Sequence, residues 1–146
     1  MEFKIRKAEE HDYPVIFSMI RDFAAFENCS EKLVNTLELM QKEKELINCF
    51  VAETESKEIV GYVVYFFAYY TWFGKSLYMD DLYVKDSFRG KGIGSSLINE
   101  VINFARKENC HKLRWQVSSW NKPAIGFYKK LGATIDDVER NCDLIF

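Results

Sequence analysis

The spacing of apolar residues changes several times along the chain, and each change marks an element. "FKIRKA", residues 3–8, alternates apolar and polar positions as a strand does. From Asp12 the period lengthens. Val15, Met19, Phe23 and Phe26 share one face of a helix that Asp12 caps, that carries Pro14 in its first turn and that ends near Glu27. Ser30 reads as the next cap, with Leu33, Leu37 and Met40 as the apolar stripe of a second helix. Strands are predicted near 47–54 and 59–70, joined by the turn "ESKE", and another covers roughly 76–84. A helix follows at 92–107, a strand at 112–118, and a short helix at 122–130 that Gly132 ends. The tail to Phe146 is expected to add one or two short strands. No repeat, low-complexity segment or linker interrupts the pattern, so residues 1–146 read as a single domain.

The segment 76–118 is a β-α-β unit, whose crossover should be right-handed between parallel strands. Its lengths agree, since the helix spans about 24 Å and a strand of that size about 23 Å. Residues 90–94 and 118–121 then fall at one end of the sheet, with His111 at the other. His11 precedes the first helix, so neither histidine reads as catalytic. The uncharged run "IVGYVVYFFAYYTWFG", residues 59–74, is shorter than the roughly 20 residues a membrane helix needs. Its Val and Tyr content makes it a long buried strand instead.

Composition changes this picture little. A net charge of −2 with a pI near 5.8 argues against a nucleic-acid surface, and Lys129-Lys130 reads as a solvated face. Cys29, Cys49, Cys110 and Cys142 form no C-x-x-C pair, which fits reduced, mostly buried thiols in a cytoplasmic protein and gives no metal pattern. The amino terminus lacks a signal-peptide apolar segment.

Candidate chemistry gathers in "DLYVKDSFRGKGIGSSLINEV", residues 81–101. Gly90, Gly92 and Gly94 lie between a strand and a helix start, where free backbone N–H groups and the helix dipole favour an anion. The alternative is a flexible turn. A Walker loop and the G-x-G-x-x-G dinucleotide fingerprint are both absent.

The motif present is R-x-x-G-x-G, made by Arg89, Gly92 and Gly94, and "WNKPAIGFYKKLGA" follows at 120–133. Together these resemble the GCN5-related N-acetyltransferase (GNAT) superfamily over essentially the whole chain. "WFGKSLYMDDLYV", "FRGKGIGSSL" and "SWNKPAIGFYKKLGA" resemble its diamine (spermidine/spermine) acetyltransferase branch, which shades into thialysine acetyltransferases. Asp80 stands where that branch typically has Glu, and Phe26 where it often has Tyr. The resemblance implies an α/β fold (an α+β mixed sheet) with about seven strands and about four helices. It also implies acetyl-CoA as acetyl donor, a small-molecule amine as acceptor, no metal, no membrane or nucleic-acid partner, and a homodimer.

What it implies for individual residues is equally specific. Arg89, Gly90, Lys91, Gly92, Ile93, Gly94 and Ser95 would hold the pyrophosphate. Main-chain groups of Leu82, Tyr83 and Val84 would pair with the pantetheine arm, and a main-chain N–H there would polarise the thioester carbonyl. Asn121 matches a further cofactor position. Tyr128 would protonate the departing thiolate, although an aromatic at its spacing is also ordinary core. Asp80 would take the amine proton, with solvated surface aspartates as the alternative. Asp80 and Asp81 are adjacent on a strand, so alternation sends them to opposite faces. Phe26, Glu27, Arg114, Trp115 and Gln116 match positions around the amine channel. The acceptor implied is a diamine or polyamine, with thialysine or another amino acid as one alternative and a weakly catalytic acyl-CoA-binding regulator as another.

Overall fold

The computed structural model describes residues 1–146 as two compact units, Met1–Trp115 and Gln116–Phe146. The first unit is built on a five-stranded mixed sheet in the order β1-β2-β3-β4-β5. Its strands are β1 (Phe3–Lys7), β2 (Asn48–Thr54), β3 (Ile59–Tyr70), β4 (Gly74–Val84) and β5 (Leu113–Arg114). The first three junctions are antiparallel and the last is parallel. Helices α1 (Tyr13–Phe26) and α2 (Leu37–Lys42) lie between β1 and β2, and α3 (Ile93–Lys107) forms the crossover from β4 to β5. No helix is long and apolar enough to cross a membrane.

Adjacent residues of β3 divide the core between the two faces of the sheet. Tyr62 packs with Tyr13, Ile16, Phe17 and Met19 of α1 and with Met40 of α2. A Cβ on Gly61 would instead meet Leu97 and Ile93 of α3. Along α3 the residues Ile93, Leu97, Ile98, Val101 and Ala105 are buried, at the spacing of one helical face. Burial of each larger side chain contributes roughly 1.5–3 kcal/mol. The buried stripe of α1 is Tyr13, Ile16, Phe17 and Met19, whereas Phe26 stays 42% exposed beyond the sheet.

Asp12 occupies the N-cap position of α1, but its carboxylate accepts the Glu9 N–H at 2.8 Å, capping the preceding 3-10 turn, and makes no cap bond to α1. Arg6 takes both its oxygens, at 2.8 and 3.0 Å, and reaches Glu53 Oε2 at 2.8 Å. One guanidinium thus ties β1, the start of α1 and β2 together, and this bidentate geometry is the strong form of a charged hydrogen bond. The predicted cap at Ser30 is also displaced. Residues 30–32 form a single 3-10 turn, and Thr36 Oγ1 accepts the Leu39 N–H to start α2.

Strand content is the larger correction: five strands form, not about seven. β5 pairs with β4 only at Leu77↔Leu113 and Tyr78↔Arg114, so the strand predicted for 112–118 is two residues long. Strands exist through pairing, and residues 131–146 join no ladder. Leu144, Ile145 and Phe146 stay exposed there, leaving no buried face to specify a register. β3 is buried only in its first half, since Phe66, Phe67 and Tyr69 are exposed. Of the four free thiols only Cys49 is buried, because Cys29, Cys110 and Cys142 lie at element ends or in the tail.

The second unit contains α4 (Lys122–Lys130), with Asn121 Oδ1 accepting the Ala124 N–H and Pro123 in its first turn. Gly132, at φ +92, follows the helix end as predicted.

Candidate active site

β4 ends at Val84, and a 3-10 turn at Asp86–Phe88 leads to the glycines and then to α3. Gly90 and Gly92 have φ of +77 and +83, a region that L side chains enter only under strain. An added Cβ at either would have nothing within 4 Å, so the backbone there borders open space. Gly94 has ordinary room for a Cβ and no positive φ, so loop geometry does not demand its glycine. No side chain caps α3 at Gly92. The N–H groups of its first turn therefore face outward with the positive end of the helix dipole. Ile93 is 1% exposed and packs inward, leaving only its N–H for any ligand.

The Arg89 side chain folds back from this loop. Its Nε donates to the Val84 carbonyl at 2.9 Å and its guanidinium pairs with Asp86 at 3.2 Å. The same group lies over the Phe26 and Tyr83 rings, 4.9 and 5.3 Å from their centroids. Lys91 sits over the Phe88 ring. Arg89 thus braces the loop against the ends of β4 and α1.

Beside the loop, β4 pairs with β3 as far as Val84 but with β5 only at Leu77 and Tyr78. From Met79 to Val84 its second edge carries no strand. The β3–β4 register slips by one residue there, with Val63 opposite Leu82 but Tyr65 opposite Met79. Asp80 and Asp81 together oppose Val64, which is a β-bulge. Counted forward from Tyr78, Asp80 falls on the face of Tyr62; counted back from Tyr83, so does Asp81. The bulge overturns the alternation expected from sequence, and the carboxylates share a face.

Their environments differ. Asp81 Oδ2 accepts the Tyr62 hydroxyl at 2.8 Å. Burial first, then the charges of Asp80 and Glu27, push the Asp81 carboxyl up to about 6, while the Tyr62 hydrogen bond acts in the opposite direction. Asp80 reaches the surface, yet partial desolvation also raises its carboxyl above the ordinary range. Glu27 caps the end of α1 and is half-buried. An acidic group of Glu27, Asp80 and Asp81 therefore lies at the end of α1 over the bulge.

Arg114 is exposed and stacks on Tyr70 at 4.5 Å. Tyr78 feels both Asp80, which raises its phenol, and Arg114, which lowers it, although burial is the larger cause of its upward shift. Trp115 is half-buried. In the second unit, Gln116 donates to Asn141 at 2.6 Å, and half-buried Tyr128 packs on Phe127 with ring centroids 5.4 Å apart. Because the Asn121 carbonyl oxygen caps α4, its amide nitrogen is the group left for a ligand. Sequence reasoning passed over Tyr62 and Tyr78. The signal for Tyr78 was its position two residues before Asp80 on a strand, whereas that for Tyr62 lay in a register invisible without pairing.

The chain matches the family described as Acetyltransferase (GNAT) family over residues 4–133. It is 39% identical over 140 residues to a thialysine N-epsilon-acetyltransferase of Bos taurus, covering 88% of this chain and 82% of that one. It is 31% identical over 141 residues to spermidine/spermine N(1)-acetyltransferase-like protein 1 of Homo sapiens, covering 90% of this chain and 20% of that protein. An aminoglycoside acetyltransferase from an uncultured soil metagenomic sample superposes with a TM-score of 0.80 at 24% identity, covering 98% of this chain and 97% of that one. That last likeness speaks for the fold.

Proposed function

Because the chain belongs to the acetyltransferase (GNAT) family, we propose that it transfers acetyl from acetyl-CoA to a small primary amine bearing a second positive charge, a diamine or polyamine. The observation that carries this acceptor is the grouping of Glu27 and Asp80 around Asp81, whose carboxyl burial and then their charges push upward. Thialysine is the second reading. The bovine relative's name favours it, and the Arg114 guanidinium near Tyr78 offers a cation for an amino-acid carboxylate.

The residues fit an acyl-CoA. Open space at Gly90 and Gly92 lets a pyrophosphate approach the backbone, and the uncapped start of α3 offers N–H groups from Ile93, Gly94 and Ser95. The free edge of β4 around Leu82 and Tyr83 suits an extended pantetheine arm. Arg89 already occupies the Val84 carbonyl, so that residue contributes its N–H at most, and Arg89 supports the loop from behind. Lys91 and the Asn121 amide nitrogen are further donors. When bound, acetyl-CoA supplies an acetyl thioester.

The chain's task is then to ready the amine and to handle protons. An amine with a lysine-like pKa is only about one part in 10³ neutral at pH 7. Asp80, with its carboxyl raised, draws the proton away directly or through water. A main-chain N–H of β4 polarises the carbonyl. Tyr128 donates its phenol proton to the departing sulfur. Asp81, Glu27 and the Phe26 ring orient the cationic part of the acceptor, with Trp115 and Gln116 as further lining. The resemblance also favours a homodimer, which light scattering after gel filtration tests.

A panel of spermidine, a short diamine, a matched monoamine, thialysine and lysine tests the acceptor, with kcat/KM read from released thiol at two salt concentrations. A dicationic acceptor should exceed the monoamine by about 10- to 150-fold, the value of one charge-assisted contact, and salt should narrow the gap. Thialysine outrunning every diamine would select the second reading.

A further inference from the structure

The Tyr62 hydroxyl is an unusual group for its position. Tyr62 is fully buried between the sheet and α1, among Met19, Val51 and Tyr83, where a phenylalanine would pack as well. Its oxygen donates 2.8 Å to Asp81 Oδ2, across the bulge that turns both aspartates onto one face. Oδ1 is the carboxylate oxygen that Tyr62 does not engage, and it is the one offered to a ligand. We propose that Tyr62 is a positioning residue: its phenol fixes Asp81 as an oriented anion beside Asp80, dividing the acidic pair into a held carboxylate that receives the acceptor's cationic group and a free one that takes the proton. This role rests on the amine-acetyltransferase reading above.

The surroundings make the hydroxyl matter. Asp80 on the same strand and Glu27 at the end of α1 bring negative charge to Asp81, while Cys49 on β2 is a buried thiol held neutral, its pKa pushed up to about 12. Tyr62 is the group that favours the ionised form of Asp81, and its own burial keeps it a donor by pushing its pKa far upward. Without it, Asp81 would hold a proton into the range where amine acetylation runs, and it would lose its fixed orientation.

The test compares wild-type protein with Tyr62→Phe and Asp81→Asn by carboxylate-carbon NMR titration of Asp81 and by the pH profile of kcat/KM for the best amine. In Tyr62→Phe the Asp81 titration should move up by about one pH unit, the equivalent of a tenfold change in proton affinity. The acid limb should move with it, so the variant loses about fivefold near pH 6, about tenfold at pH 5 and much less at pH 8.5, while CoA affinity is unchanged. A packing role alone would lower the whole profile evenly and leave the titration in place; that result in an active enzyme overturns the assignment of Tyr62 alone. Asp81→Asn should abolish the limb near pH 6, and if it survives there the proposal fails even should Tyr62→Phe not fold. A wild-type protein inert toward every amine would overturn the functional reading and this role with it.

Discussion

Gly92 can be replaced without a clash but not without strain. Its φ of +83 lies beside open space, so Gly92→Ala isolates the cost of forcing an L residue into that conformation, roughly 1–2 kcal/mol of stability. Gly92→Asp adds a negative charge where the α3 dipole welcomes one, so it should unfold no more readily than the alanine variant. Against a bound pyrophosphate the same charge is repulsive. Calorimetric titration should therefore show CoA affinity at least about tenfold lower for Asp than for Ala, and equal affinities would take the pyrophosphate away from this loop. Tyr62 and Tyr65 give a second residue-scale contrast. The Tyr65 hydroxyl is buried with no hydrogen-bond partner, on a ring that packs against those of Phe50 and Phe104. Tyr65→Phe removes that unsatisfied group and should leave stability unchanged or raise it by up to about 1 kcal/mol in urea unfolding.

Between elements, Gly61 of β3 sits close to both β4 and α3. A Cβ at Gly61 would lie 3.0 Å from the Tyr83 carbonyl oxygen and 3.2 Å from Leu97 Cδ1. The first is backbone and cannot yield cheaply, so Gly61→Ala should cost about 1–3 kcal/mol of overpacking, read as a lower urea midpoint at constant m value. At this scale the sequence was legible wherever local chemistry decides. Asn121, Pro123 and Gly132 bracket α4 with ordinary cap signals, and its predicted limits of 122 and 130 match the structure. Reading failed wherever a partner decides. Asp12 carries a cap's chemistry, but its carboxylate turns to the Glu9 N–H and the Arg6 guanidinium instead of the first turn of α1. The residues after Arg114 have strand-like character and no ladder to join. Asp80 and Asp81 were singled out as chemistry-bearing, yet their common face depends on a slip of register against Val64 that no period in β4 reveals.

For the molecule as a whole, two groups of carboxylates give stability opposite dependences on pH. The Arg6 hydrogen bonds hold Asp12 and Glu53 below the usual carboxylate range. Their contribution is complete above the unfolded pKa values and is lost as pH falls through the lower folded values. Asp81 is raised to about 6 from 3.8, so the folded chain takes up its proton first and gains stability as pH falls from about 6 toward 4. Thermal unfolding should therefore show a shoulder or maximum in the mildly acidic range before acid destabilisation sets in, and Asp81→Asn should flatten the rise while leaving the acid arm intact. The bare side of β4 carries a different liability. On the side away from β3, the stretch from Met79 to Val84 has no strand beside it and accepts any extended chain, a neighbouring copy included. Two adjacent acidic side chains on that strand repel such a visitor in water, and high salt or low pH silences them. Concentrated protein should then scatter more light under those conditions when CoA is absent, and excess CoA should suppress the rise by filling the edge. What makes the strand receptive to an extended ligand also makes the empty protein prone to stick to itself.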